Sequence, residues 1–482
     1  MKAIPFYGRG AELAALDAEL RRVGTSGAGR LIAVRGRRQV GKSRLLERFA
    51  AQSGAPYGVI AGMKGAPVEV QMHRAVETLS SAIRPLPGLA AVTAVTPGDW
   101  YDLLSRVRLA FGEQPAILVI DEFPWAQETN PGLDGLLQSL WDTELGRRPV
   151  LVVLVGSDEA MMSRLFEHDR PLFGRLHTNI VLEPFTPAET AQALGGSRGA
   201  METFDVHLIT GGFPELVAHA RRFASVPKLA EDAFAHPHTL FADVAQINLA
   251  GELADHAGAR AVLGAIGADE IGVVSFSRIA STLGGGSAAE TAVSRATETL
   301  VRTKRIVAVD VPAGSRGGRL KRYRIADSYL RFWFRFIEPQ LRNIEVGRSD
   351  LALESFRVSW PVWRGKAIEP IVREAVLRLA PQLPAPYASI ESVGGWWDRT
   401  GAHEYDLLGI GATGAPVAIG SIKWRERSPF GPRDLAELAD GRSVIPQAGA
   451  ASLIAIAPQG TKPGLRVDLA LNAEDLLGAW PA

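Results

Sequence analysis

Leu31-Ile32-Ala33-Val34-Arg35-Gly36-Arg37-Arg38-Gln39-Val40-Gly41-Lys42-Ser43-Arg44-Leu45-Leu46-Glu47-Arg48-Phe49 decides how this chain is read. Four residues of β-forming character, Leu31 to Val34, run into Gly36. From there Gly36 to Ser43 fits G-x-x-x-x-G-K-[ST] at every fixed position, and apolar Leu45, Leu46 and Phe49 set the period of a following helix. A loop opening onto a helix N-terminus converges its backbone N–H groups on an anion, and the helix dipole adds positive potential there. Glycines at the loop's ends let the backbone approach phosphate oxygens closely. Lys42 is placed to reach the β- and γ-phosphates of a nucleotide and the Ser43 hydroxyl to ligate Mg²⁺, with Gly36, Arg37, Arg38, Gln39, Val40, Gly41 and Arg44 forming the rest of the cradle.

A second stretch answers the first. Ala116-Ile117-Leu118-Val119-Ile120-Asp121-Glu122 is a continuous apolar run ending in two acids. Such a run reads as a buried parallel strand, and open α/β sheets bind ligands at the carboxyl ends of their strands. Asp121 is expected to hold Mg²⁺ through its water shell and Glu122 to polarise the attacking water. Further strands are expected at Pro56–Ala61, Val150–Val155 and Thr178–Leu182. Ser157, just past the third, either orients water against a γ-phosphate or closes a strand-end turn. Arg175, in Pro171-Leu172-Phe173-Gly174-Arg175, is a candidate finger for a neighbouring subunit's γ-phosphate. Near the start, Phe6-Tyr7-Gly8-Arg9 precedes a helix through Leu13, Leu16 and Leu20; Phe6, Tyr7 and Arg9 can serve an adenine or simply begin that helix.

The whole chain of 482 residues bounds these readings. The length prior is about three domains. With 46% hydrophobic and 22% charged residues the chain has ample core, and a net charge of +1 restricts nucleic-acid contact to a local patch. It has no cysteine, which excludes disulfides and thiolate metal sites and fits a reducing cytoplasm. No signal peptide or membrane span is expected.

These motifs, together with Val155-Gly156-Ser157 and the later Gly211-Gly212-Phe213-Pro214, resemble the archaeal-type ATPases of the AAA+/STAND group. The resemblance implies an α/β fold: an AAA+-like P-loop parallel sheet over residues 1–195 and a helical lid over 196–257. A winged helix-turn-helix with a linker helix follows over 258–345, then an α/β nuclease-like domain over 346–482. It also implies ATP and Mg²⁺ as cofactors, Ser157 as a sensor, Arg175 as the finger and Pro214 near the nucleotide; a finger acting in trans in turn calls for a ring or stacked homo-oligomer. The Gly-Gly-Phe-Pro segment itself holds no arginine.

The residues after 257 are read independently of that likeness. Helical runs at Ala259–Ile266, Ser275–Leu283 and Ala288–Arg302, with Gly284-Gly285-Gly286 as the break, precede strands at Arg305–Val311 and Arg319–Ile325. Helix, helix, helix, hairpin is the winged-helix order. Ser287 with Glu290 three residues on predicts a capping box. Arg302, Lys304, Arg305, Arg316, Arg319, Lys321, Arg322 and Arg324 cluster at the third helix's end and on the hairpin, where they are candidates for duplex-DNA phosphates. Tyr329-Leu330-Arg331-Phe332-Trp333-Phe334-Arg335-Phe336 interleaves aromatics with arginines, which suits base stacking, while the spacing of Leu330, Trp333, Phe334 and Phe336 fits an amphipathic helix equally well. At this segment the family resemblance, which implies a link between winged helix and C-terminal domain, decides for core packing.

Beyond, a helix from Trp363 to about Leu379 and strands at Ser389–Val393, Tyr405–Ile410 and Pro416–Trp424 place Glu369, Asp406 and Lys423 within reach of one sheet end. The order resembles a PD-(D/E)XK nuclease-like domain, whose last strand reads Glu-x-Lys-Trp. Here it reads Ser421-Ile422-Lys423-Trp424, and a neutral serine binds divalent cations poorly. The domain is therefore expected to be degenerate. The leading expectation is a Mg²⁺-dependent ATPase coupling nucleotide state to assembly and DNA binding. Its alternatives are a nucleotide-switched scaffold with protein partners and a DNA nuclease with residual activity.

Overall fold

The computed structural model describes residues 6–196, 198–253, 257–315 and 318–481. The chain folds as two compact units, one of residues 9–184 and one of 185–481 joined by the chain's start at 6–8.

The first unit is built on five parallel strands, β1 (Arg30–Arg35), β2 (Tyr57–Ala61), β3 (Ala116–Asp121), β4 (Val150–Gly156) and β5 (Leu176–Val181), in the order β2-β3-β4-β1-β5. The two strands with uninterrupted apolar runs, β3 and β4, sit inside the sheet, where both faces are covered. Edge strand β5, Leu176-His177-Thr178-Asn179-Ile180-Val181, is half polar and largely open to solvent. Because all strands run the same way, their carboxyl ends share one edge: Arg35 of β1 lies level with Gly156 of β4, and Ile120 of β3 with Leu154. That edge gathers the three motif ends. One face of the sheet is closed by a core that includes Met72, Trp100, Leu104, Phe123, Leu137 and Trp141.

The second unit opens with helices. Thr186 and Glu189 form a reciprocal capping box at the start of Pro187–Leu194, which satisfies two of the N–H groups a helix leaves unpaired. Ala200–Thr210 follows, almost wholly buried, and carries His207 against the Thr190 hydroxyl at 3.0 Å. Burial pushes His207 down to about 4, below its unfolded value. A depressed folded-state value means the unfolded chain takes up the proton first. The contribution is intact above about pH 6.5 and shrinks by about 3 kcal/mol as pH falls toward the folded value. Accordingly the melting temperature of this unit should drop between about pH 6.5 and pH 4, and His207→Gln should flatten that drop; thermal unfolding across the pH range checks it.

Three helices, Ala257–Gly267, Phe276–Thr282 and Ser287–Glu298, come next with a small antiparallel sheet of β6 (Val274–Ser275), β7 (Val307–Asp310) and β8 (Arg322–Ile325), ordered β6-β8-β7. The expected capping box at Ser287 is absent. Gly286 occupies the cap position with no side-chain bond, and Ser287 is already the first helical residue. The three glycines, all at positive φ, carry the chain straight into the helix, so the cap falls on a residue without a side chain. The segment 329–337 is not amphipathic but buried nearly all round, with Tyr329, Phe332, Trp333 and Phe334 fully enclosed. Arg331, inside it, donates to the carbonyls of Ile271 and Ala367.

The chain then runs through helices Ser349–Ala367 and Glu369–Leu379 into a mixed sheet of β9 (Ile390–Trp397), β10 (Glu404–Gly411), β11 (Pro416–Ile422), β12 (Ser452–Ile456) and β13 (Leu469–Leu471), ordered β13-β12-β11-β10-β9. The first three strands are antiparallel and the last three pair in parallel. Arg364 and Asp205, both buried, form an ion pair at 2.9 Å that ties Ser349–Ala367 to Ala200–Thr210. Among the described residues no helix is long and apolar enough to cross a membrane.

Candidate nucleotide site

The phosphate loop leaves β1 at Gly36, whose φ of 151° and surroundings both demand glycine: a Cβ there would lie 2.2 Å from the Leu182 carbonyl oxygen. Gln39 and Gly41 also take positive φ, which turns the loop over the start of helix Lys42–Ser53. No side chain caps that helix, so its first N–H groups point into the loop's concavity. Val40 is buried and anchors the loop. Its carbonyl accepts from the buried Arg9 guanidinium at 3.0 Å, so Arg9 braces the loop's backbone. Lys42 donates to the carbonyls of Gly36 (2.8 Å) and Arg37 (2.9 Å), which holds its ammonium across the loop's mouth. Arg38 lies over the Trp125 ring at 5.9 Å, and Lys64 over the same ring at 4.4 Å. Arg44 faces Glu47 on the helix surface.

The acids meet this loop directly. The Ser43 hydroxyl donates to Asp121 Oδ2 at 3.1 Å. Burial raises the Asp121 carboxyl above its usual range, and the neighbouring Glu122 charge adds to the rise. A carboxylate so placed gains most from a cation beside it. The serine oxygen and that carboxylate form the donor pair a hard, oxygen-seeking Mg²⁺ accepts, and in this arrangement they fit one.

Glu122 stands at φ 48°, ψ 43°, a left-handed conformation uncommon for a residue with a side chain. Both of its carboxylate oxygens accept from the Ser157 hydroxyl, at 2.9 and 3.0 Å. Ser157, at the tip of β4, thus positions the acid. Gly62, which the motif reading passed over, makes room for this: a Cβ there would meet the Glu122 carbonyl oxygen at 2.5 Å.

Arg175 sits just before β5, at the amino-terminal edge of the sheet. The strand's six residues span about 20 Å, so Arg175 lies at the opposite edge from its own phosphate loop. Its guanidinium grips Asp142 through two bonds, of 2.7 and 2.9 Å, and the carbonyls of Pro171 and Phe173. Phe6, Tyr7 and Pro214 belong to the second unit. There the Tyr7 hydroxyl accepts from Arg221, the residue just past the helix Pro214–Ala220.

On the hairpin and the preceding helix end, Arg302 and Lys321 are solvent-exposed, Lys304 is half-buried and Arg305 adopts a left-handed backbone. Arg322 departs from expectation: it is bound to Glu404 at 2.7 Å and stacks on Trp397 at 4.2 Å, and Arg324 pairs with Asp310. Neither points to solvent as a phosphate contact would require. Arg316, and the side chain of Arg319, lie outside the described residues.

In the C-terminal sheet, Glu369, Asp406 and Ser421 do gather, with the Ser421 hydroxyl 3.2 Å from Asp406. Lys423 does not join them. It faces Glu437 at 3.8 Å, because helix Pro432–Val444 packs beside β11 and offers a carboxylate there. The cations at the acids are instead Lys366 and Arg373. Among the described residues no group of three or more acids or histidines is arranged to hold a metal ion.

Residues 5–153 match the family of the AAA ATPase domain, and residues 333–433 match a family described as archaea bacterial proteins of unknown function. An uncharacterized protein of Methanocaldococcus jannaschii is 23% identical over 327 residues, spanning 64% of this chain and 68% of that one. The Walker-type ATPase of Pyrococcus abyssi is 17% identical with a TM-score of 0.49, over 68% of this chain and 96% of that one. The ORC2 protein of Aeropyrum pernix is 15% identical with a TM-score of 0.46, over 74% and 97%.

Proposed function

We propose that this chain is a Mg²⁺-dependent ATP hydrolase whose nucleotide state governs self-assembly and contact with duplex DNA. One observation carries the reading: at a single sheet edge the Ser43 hydroxyl meets Asp121 while Ser157 holds Glu122. A bound ATP–Mg²⁺ supplies an electrophilic phosphorus with its charge partly neutralised. The chain does the rest. The loop N–H groups and Lys42 hold the phosphate oxygens, Ser43 and Asp121 hold the metal, and Glu122 accepts a hydrogen bond from the attacking water. Ser157 fixes the direction of that acceptor. Arg175, at the far edge, serves the site of an adjacent copy, which makes turnover depend on assembly.

The three helices and the sheet β6-β8-β7 are read as a winged helix, with the hairpin between β7 and β8 as the wing. Arg302, Lys304, Arg305 and Lys321 are its phosphate contacts. Each neutralised phosphate adds about 0.9 to the salt slope, so four give a slope near −3.6 in log K against log salt, a value of the order expected for a small basic patch. The test is ATP turnover with and without duplex DNA across a salt series. Stimulation that fades with salt supports DNA coupling. Turnover indifferent to DNA transfers the appended domains to protein partners.

A further inference from the structure

The acids of the C-terminal sheet come with cations already installed. Lys366 donates to Glu369 at 3.0 Å and also to Glu404. Arg373 donates to the other oxygen of Glu369 and to the Asp406 carbonyl, both at 2.7 Å. One oxygen of Asp406 is taken by the Ser421 hydroxyl at 3.2 Å and the Ile422 N–H at 2.8 Å. Glu404 receives Arg322 from β8 as well, and the same guanidinium covers Trp397. The passage for Arg373 is cut into the sheet: a Cβ on Gly395 would lie 2.6 Å from its guanidinium.

This donor set does not fit a divalent cation. Glu369 is only 5% exposed and both of its oxygens are occupied by positive groups. Where a third carboxylate would complete a metal site, Ser421 is neutral and turned toward Asp406. A divalent ion would have to evict an ammonium that two acids share, and a buried carboxylate stripped of its partner is strongly disfavoured.

We infer that Lys366 is a built-in cation that holds Glu369 against Glu404 and so takes up the carboxylate a divalent metal at this site would need, and that Arg322, on the same Glu404, clamps the β7–β8 hairpin to the C-terminal sheet. The assignment does not depend on the ATPase reading, since every residue in it lies outside the phosphate-loop unit. It makes the sheet a joint rather than a cutting centre, and it explains why the missing acid is not the only obstacle to metal binding.

The test is Mn²⁺ titration of the nucleotide-free full-length chain, followed by electron paramagnetic resonance. The native chain should show no Mn²⁺ site that is lost on Asp406→Asn. Ser421→Glu alone should not create one, because the ammonium stays; Ser421→Glu with Lys366→Ala should bind Mn²⁺ about tenfold tighter or more than Ser421→Glu alone, the scale on which groups around a metal site alter its affinity. A native site abolished by Asp406→Asn overturns the inference, as does Ser421→Glu alone binding as tightly as the double variant. Should the double variant fail to fold, the native chain and the single Ser421→Glu variant still decide.

Discussion

Glu122→Gln should lower ATP turnover by about 10²–10⁴-fold and leave ATP affinity nearly unchanged, the loss expected when a positioned base is removed. The side chain is held by Ser157 through both oxygens, whereas the phosphate loop's Ser43 meets Asp121. Glutamine keeps the size and one acceptor, so the left-handed turn at residue 122 and the Asp121 contact with Ser43 survive. Only the charge that draws a proton from water is gone. Steady-state hydrolysis beside equilibrium ATP binding separates the two effects, and unchanged turnover removes Glu122 from the chemistry.

Arg175→Ala should be as severe by another route. A finger supplied in trans is worth about 10³–10⁵ in rate, and its loss leaves binding in the same subunit intact. The side chain now spends its donors on Asp142 and two carbonyls, and Asp142 is about half exposed. A pair that open to water is worth at most about 1 kcal/mol, so exchanging it for a phosphate is undemanding and the variant should fold normally. The sharper form mixes Arg175→Ala with Glu122→Gln. Each is inactive alone, yet a mixed assembly holds sites with an intact base and a neighbour's intact arginine, so turnover should reappear. No recovery on mixing, or full activity of Arg175→Ala alone, rejects a trans role.

What could be read from the sequence was whatever chemistry fixes by spacing. The phosphate loop and Asp121 declare themselves because a loop of set length between strand and helix, and an acid at the end of an apolar run, are local patterns. Parallel pairing then carries them to one edge. Contacts made across the fold left no such trace. Nothing near Ser157 in sequence announces that it holds Glu122, 35 residues away. Arg322 looked like a DNA contact because its neighbours are basic, and only the approach of β10 shows that Glu404 claims it. Lys423 matched a motif position but answers to Glu437, while Lys366, with no motif of its own, holds the acids. Short β6 and the apolar β12 went unread because neither carries a recognisable residue pattern of function. The capping box at Ser287 failed for a local reason, since three glycines moved the helix start by one residue.

Calorimetric titration of the purified chain with ATP in the presence of Mg²⁺, repeated on Lys42→Ala, tests the central claim most directly. The account predicts saturable binding by the native chain, weakened by well over tenfold when the ammonium at the loop's mouth is removed. Native and variant chains that bind ATP equally, or a native chain that binds none, would contradict it.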